Sequence, residues 1–297
     1  MKWLAIVNPS CGGGRSYSHI SRILRRLKKL NPETVTTNYP GHAERLAREA
    51  SDYDGLAVVG GDGTVLEVLN GMDQARQRLA IIPAGTGNSL ARDLGLDSVA
   101  AAIDAIVEEW LVQVDLMSVG FQNGDGLTRQ RLSASTLGLG YPAAAAKTAN
   151  RHLKGLGKFC YPVAAAVETL FQKRIRVRLA YNGGAPESKS LTGLILNNTR
   201  HVGNFLAFPQ ASLRDGCFDV MELDSDFWRQ NLHNLSVLSK RYFYLQNLPK
   251  SVNFLRLQME TPQDLVIDGE IYPAVTHVEI QISPTKLTCY RKGTGAQ

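Results

Sequence analysis

The chain has 297 residues, 44% of them apolar and 20% charged, a composition that excludes a disordered or low-complexity protein and leaves room for two ordinary domains. Lysine and arginine number 33 against 27 aspartates and glutamates, and the net charge of +6 suits an anionic partner: a nucleotide, a lipid headgroup or nucleic acid. No run of about 18 uncharged apolar residues occurs, so a transmembrane helix is not expected; the nearest candidate, residues 98–117, carries Asp104, Glu108 and Glu109. The apolar run that ends at Asn8-Pro9 reads as a strand, not a secretory leader, and the four scattered cysteines read as free thiols in a cytoplasmic protein.

In chain order, residues 3–7 form an apolar strand, and residues 16–30 carry Ile20, Ile23, Leu24, Leu27 and Leu30 at helical spacing. A strand at 33–37, a helix at 42–51 and a buried strand at 55–59 follow. A glycine turn then opens a helix through Leu66 and Leu69. The strand at 79–83, a second glycine turn, a helix to Leu94 and a helix at 99–111 complete the first part. This alternation predicts βαβ units around a mostly parallel sheet. Beyond a boundary near residue 117, strands dominate: 129–135, 175–181, 191–197, 218–223, 252–258, 265–267, 278–282 and 286–290. Helices are expected at 142–153, 161–171 and 227–238. The prediction is an α/β domain over 1–117 and an antiparallel β domain over 118–297, whose last strand is free to return to the first.

Gly60-Gly61-Asp62-Gly63-Thr64 stands between a strand and a helix. Glycines permit a tight turn and a close backbone approach, and bare N–H groups at a helix start attract phosphate. Thr64 adds a hydroxyl; Asp62 suits a metal or a helix cap. Pro83-Ala84-Gly85-Thr86-Gly87-Asn88 repeats the arrangement after the next strand. Two such loops on neighbouring parallel strands converge at the sheet edge where α/β proteins bind ligands. Neither is a Walker A motif or GxGxxG. Asn8-Pro9 with Gly12-Gly13-Gly14 forms a third loop, and Gly41-His42-Ala43 a fourth, with His42 read as structural.

These segments in this order, with Thr37 ahead of Gly41, resemble the diacylglycerol kinase catalytic-domain family, which includes soluble lipid kinases and the sphingosine and ceramide kinases. The likeness continues through Pro209–Gly216, similar to the family's P-x-A-x-x-x-D-G segment, and through Asp268-Gly269-Glu270, similar to its late D-G-E motif. The resemblance implies a nucleotide-binding α/β domain like that of NAD kinases and phosphofructokinases, followed by a β-sandwich. It implies an ATP- and Mg2+-dependent kinase of phospholipid metabolism whose acceptor is a membrane lipid such as diacylglycerol or a sphingoid base. Asn8, Thr37, Gly60, Gly61, Asp62, Gly63, Thr64, Gly85, Thr86 and Asn88 would contact ATP. Asp268 and Glu270 would form the catalytic pair, one accepting the hydroxyl proton; an extended D-G-E segment would aim both to one face. Asp215, with the carbonyls of Ser212 and Cys217, resembles a structural magnesium site. Many bacterial members carry an acidic residue after the second glycine loop; here Gly87-Asn88-Ser89-Leu90 lacks it and leans toward the sphingoid kinases, which leaves the acceptor open.

Basic residues cluster twice. Lys2, Arg15, Arg22, Arg25, Arg26, Lys28 and Lys29 precede the first acidic residue, Glu33. Lys147, Arg151, Lys154, Lys158, Lys173, Arg174, Arg176 and Arg178 face Glu168 alone. A lipid kinase must dock on its bilayer, and such clusters suit an anionic surface; a peripheral membrane protein is expected. No nucleic-acid recognition module is present, and the sequence permits a homodimer. The alternatives are a NAD-kinase-like small-molecule kinase, which shares GGDGT, and a non-catalytic nucleotide or lipid sensor, which would not need D-G-E.

Overall fold

Residues 3–7 are buried throughout, as are residues 55–60, and strands buried on both faces belong in the middle of a parallel sheet. A computed structural model describes residues 1–13, 17–27, 30–153, 159–203, 205–224 and 249–293, and sheet sizes below count these. Two compact units result: Met1–Val114 with Pro284–Gln297, and Asp115–Ser283. The expected helix at 227–238, with Arg15, Lys28, Lys29, Lys154 and Lys158, lies outside the described residues.

In the first unit, β1 (Trp3–Val7), α1 (Tyr17–Leu27), β2 (Glu33–Thr36), α2 (His42–Glu49), β3 (Gly55–Gly60), α3 (Asp62–Gly71) and β4 (Arg78–Pro83) alternate, followed by α4 (Ser89–Asp93), α5 (Val99–Val107) and β5 (Leu111–Val114). The six-stranded sheet runs β2-β1-β3-β4, then Leu287–Tyr290, then β5. Strands β2, β1, β3 and β4 are mutually parallel, so the loops after all four open on one edge. The helix expected over 99–111 is shorter. Ser98 Oγ accepts the Ala101 N–H at 3.1 Å and starts α5. Glu109 then takes φ 52°, and Leu111–Val114 leaves to pair antiparallel with Leu287–Tyr290.

The second unit holds β6 (Met117–Asn123), β7 (Thr128–Ser133), β8 (Thr136–Gly140), α6 (Tyr141–His152), α7 (Cys160–Thr169), β9 (Ile175–Tyr181), β10 (Glu187–Leu191), β11 (Gly193–Asn197), the short pair β12 (His201–Val202) and β13 (Phe205–Leu206), β14 (Phe218–Leu223), β15 (Lys250–Val252), β16 (Phe254–Ile267) and β17 (Glu270–Ile282). Its ten-stranded sheet is antiparallel, with the path β15-β14-β11-β8-β16-β17-β6-β7 and with β9 and β10 branching from β16. The sequence suggested separate strands at 252–258 and 265–267. They are one strand, β16, whose pairing with β17 shifts register between Gln258 and Gln263. The polar run Glu260-Thr261-Pro262-Gln263 that breaks the apolar alternation is this irregularity, not a loop. Helix α6 lays Ala143 and Ala146 against Val266 of β16, and α7 packs Cys160 and Ala164 against Ala149 of α6.

Candidate active site

The glycine loops of the first unit touch through their backbones. A methyl group on Gly85 would lie 2.4 Å from the Gly61 Cα, and one on Gly60 would lie 2.6 Å from the Thr64 Cβ. The N–H groups of Ala84 and Gly85 donate to the Gly60 carbonyl at 2.9 and 3.2 Å. Gly61 and Gly85 are thus required by loop-on-loop packing, and Gly60 by the Thr64 side chain of its own loop, whatever ligand approaches. Gly63 differs: space beside its Cα is open. It lies in the first turn of α3, where main-chain N–H groups have no intrahelical acceptor.

The side chains around this edge interlock. Asn8 Nδ2 donates to Thr64 Oγ1 at 2.9 Å, and Asn8 Oδ1 accepts the Ser10 N–H at 2.9 Å. Thr37 is buried, and its N–H continues the ladder to the Val7 carbonyl at 2.9 Å. Asn88, at φ 55°, clamps its own loop: Oδ1 accepts from Gly85 N–H at 3.1 Å and Nδ2 donates to the Gly85 carbonyl at 2.9 Å. Thr86 lies half-buried inside that clamp. Asp62 Oδ1 accepts the Ser89 N–H at 2.7 Å and so ties the first loop to the start of α4. Burial pushes the Asp62 carboxyl up to about 6, against the N–H groups of Ser89 and Asn88 and the Arg92 charge, which pull it down. His42 is structural: Nδ1 accepts the Asn38 N–H at 3.1 Å and the ring stacks on Tyr39. Sequence reading passed over Glu67, whose two oxygens each take an N–H, from Gly41 and Ala43 at 2.9 Å, and so fix the start of α2.

In the second unit the D-G-E segment is a hairpin turn, and this corrects the extended geometry expected for it. Ile267 pairs with Glu270, and Asp268 and Gly269 between them both take positive φ, 45° and 91°. The carboxylates therefore divide. Asp268 is buried; Oδ1 accepts the Thr136 N–H at 2.6 Å and Oδ2 the Ala134 N–H at 3.3 Å. Glu270, on the first residue of β17, keeps partial exposure and accepts the Tyr272 hydroxyl at 3.1 Å. Arg131 also hydrogen-bonds Tyr272, and Phe121 packs edge-on against its ring. Burial and the Glu270 charge push the Tyr272 phenol up to about 12, so it stays a donor to Glu270.

The segment resembling a magnesium site is a turn held by an aspartate that sequence reading missed. Asp115 is wholly buried; its Oδ2 accepts the Gly216 N–H at 2.7 Å and its own N–H donates to the Leu213 carbonyl at 2.8 Å. Asp215 Oδ1 accepts the Cys217 N–H at 3.1 Å, and Ser212 Oγ accepts the Arg214 N–H at 3.3 Å. Asn198 Nδ2 donates to the carbonyls of Asp115 and Ala134, linking this turn to the backbone that holds Asp268. The one sequence signal for Asp115 is an aspartate inside the apolar run Val112–Met117.

Residues 2–119 match the model of the diacylglycerol kinase catalytic domain. A diacylglycerol kinase of Mycobacterium tuberculosis is 31% identical over 235 residues, 76% of this chain and 74% of the relative. One from Bacillus subtilis is 29% identical over 227 residues, 73% and 72% of the two chains. A solved diacylglycerol kinase structure from Bacillus anthracis superposes with a TM-score of 0.73 at 21% identity, covering 99% and 98% of the chains. An ATP complex of an Archaeoglobus fulgidus NAD kinase superposes at 0.55 with 16% identity, covering 98% and 94%. The chain belongs to the diacylglycerol kinase family. It is a lipid kinase, built on the two-unit fold that its sequence implies.

Two predictions follow from this geometry. Asp268→Ala strands two buried N–H groups and should lower unfolding free energy by about 2–4 kcal/mol, whereas Glu270→Gln should change it by less than about 0.5 kcal/mol; urea titration separates them. Asp62 binds its proton more tightly folded than unfolded, so stability falls as pH rises from the ordinary value of 3.8 through about 6. Asp62→Asn keeps an acceptor for Ser89 and removes the charge. Its stability relative to the wild type should rise across that window by up to about 3 kcal/mol in urea titrations at each pH.

Proposed function

We propose that this lipid kinase transfers the γ-phosphate of ATP to a hydroxyl of a membrane lipid, a diacylglycerol or a sphingoid base. The observation that carries the nucleotide half is Gly63: an open surface over the unsatisfied N–H groups of α3, flanked by the Thr64 hydroxyl and the Asn8 amide. Phosphoryl transfer asks chiefly for a phosphate cradle and for charge neutralisation, and this edge supplies the cradle. Gly60, Gly61, Gly85 and Asn88 shape the loops, while Gly63, Thr64, Thr37 and Thr86 meet the nucleotide.

Glu270 is the proton acceptor in this reading. Both Asp268 oxygens are committed to the main chain, so Asp268 is a positioning residue that fixes the turn. Glu270 stands at the end of that fixed turn, oriented by Tyr272. As the lipid hydroxyl attacks the γ-phosphorus, its proton passes to a Glu270 oxygen and the bond from phosphorus to the ADP oxygen breaks.

Asp215 with the carbonyls of Ser212 and Cys217 would hold a magnesium ion; hard oxygens are the donors that ion takes. The Gly216 N–H is turned to Asp115, which leaves the Asp215 charge on the outside of the turn. The ion would neutralise that charge and brace the loop. Among the described residues no group of three His, Cys, Asp or Glu side chains gathers to hold a metal, so such a site relies on main-chain oxygens.

The deciding experiment offers labelled ATP with diacylglycerol, monoacylglycerol, sphingosine, ceramide or phosphatidylglycerol. Label should enter diacylglycerol or sphingosine; ATP turnover without any labelled lipid refutes the reading. Gly63→Ala should weaken ATP binding at least about tenfold with the fold kept or slightly stabilised, because alanine favours the helix by up to about 1 kcal/mol. Glu270→Gln should lower kcat by about 10²–10⁴ with ATP affinity unchanged. Asp215→Asn keeps the turn acceptor and removes the charge. It should lower Tm as a chelator lowers that of the wild type, and should itself no longer respond to chelator.

A further inference from the structure

Helix α7 is built inside out. Its fully buried residues are small: Cys160, Ala164 and Thr169, the first two against α6, with the bulky, partly buried Tyr161 packed beside them. Its outer side is large and apolar: Val163 is 39% exposed, Val167 40%, Leu170 63% and Phe171 69%. The positions follow i, i+4, i+7 and i+8, one stripe of a helix whose last turn continues through the Leu170 and Phe171 N–H groups to the carbonyls of Val167 and Glu168. Phe159, 58% exposed, opens the same stripe. A globular helix places its bulkiest apolar residues inward; the reverse marks a surface that meets a second apolar phase.

The rim identifies that phase. Phe171 is followed, after one intervening residue, by Lys173 and Arg174, then by the two exposed positions of β9, Arg176 and Arg178. Among the described residues two carboxylates pair with these four cations: Asp224 with Arg174 at 2.6 Å and Glu260 with Arg176 at 3.5 Å. Both are exposed pairs of small energy that anionic headgroups can displace. Glu168, the acidic residue within α7 itself, accepts a hydrogen bond from Thr148 of α6. A second copy of the chain would oppose this cationic rim with its own. An anionic bilayer complements both features, with acyl chains against the stripe and headgroups against the rim.

We infer that the outer face of α7, through Val163, Val167, Leu170 and Phe171, inserts into the surface of an anionic membrane, with Lys173, Arg174, Arg176 and Arg178 gripping the headgroups. The inference rests on the lipid-kinase reading for its biological sense. It is tested by binding, which needs neither ATP nor turnover.

The full chain is sedimented with vesicles of phosphatidylcholine alone, or with phosphatidylglycerol added. Binding should require phosphatidylglycerol and fall with salt. Leu170→Gln with Phe171→Gln should weaken binding at least about tenfold, since each side chain withdraws from hydrocarbon. Arg176→Gln with Arg178→Gln should weaken it severalfold and flatten the salt dependence. These residues are exposed, so unchanged circular dichroism and Tm are expected. Phe171→Trp should shift its fluorescence to the blue on vesicles and be quenched by brominated acyl chains. On a short-chain diacylglycerol dispersed without bilayer, the Leu170/Phe171 variant should phosphorylate as the wild type does. Equal vesicle binding by wild type and this folded variant overturns the inference and leaves the kinase reading standing. A wild type that binds vesicles through this face but labels no lipid overturns the kinase reading alone. If the variant instead converts a dimer to a monomer in the absence of vesicles, a second copy covers the face and the membrane assignment fails.

Discussion

The first unit depends on a contact between two backbones. Strands β3 and β4 are parallel neighbours, so the turns that leave them emerge side by side at one sheet edge. They can lie against each other only because Gly61 and Gly85 carry no side chain where the chains meet. Everything else at that edge braces this contact. Asp62 reaches from the first loop to the start of α4, Asn88 closes the second loop on itself, and Asn8 spans to Thr64. A region with such open, N–H-rich turns would be soft if left unbraced, and the phosphate cradle proposed here is useful only when preorganised. Part-buried polar bonds brace the turns where glycines leave no side chains to pack.

In the second unit a turn separates two neighbouring carboxylates. A two-residue hairpin with positive φ at both positions turns Asp268 into the protein and leaves Glu270 at the start of the outgoing strand. Asp268 satisfies two main-chain donors, and those donors belong to the strand connection at 134–136 that Asn198 also holds. Asn198 reaches Asp115 as well, and Asp115 fixes Gly216. The turn carrying Asp268 and the turn carrying Asp215 therefore share one buried polar network. Each of these residues is anchored by at least one hydrogen bond, while the buried Asp115 Oδ1 and Asn198 Oδ1 atoms find no hydrogen-bond partner among the described residues.

The membrane docking proposed above rests on how helix α7 is packed. Its small buried residues Cys160 and Ala164 pack on α6 beside the partly buried Tyr161, and α6 in turn presses alanines onto β16. Close packing of small residues is what allows the bulky residues to face outward without a loss of core. In water that arrangement is unfavourable, because the exposed stripe gains nothing from folding. At a bilayer the same stripe is withdrawn from water.

Much of this was legible in the chain itself. Continuous apolar runs at 3–7 and 55–59, with glycine turns behind them, specify parallel strands and their ligand edge, since only strands buried on both faces read that way. The order of Asn8, the GGDGT loop, the PAGTGN loop, Asp215 and the D-G-E turn specifies the lipid-kinase family. Tertiary structure decided what those residues do. Gly61 and Gly63 are indistinguishable as letters, yet one meets Gly85 and the other meets open space. Asp268 and Glu270 are equal as carboxylates until the turn's φ angles send them apart. Asp115 and Asn198 gain meaning only through partners far away in sequence, and the polar run inside β16 reads as a loop until β17 pairs across it. Local pattern fixes which backbone forms; which side chain is buried, bonded or exposed depends on neighbours that distant parts of the chain supply.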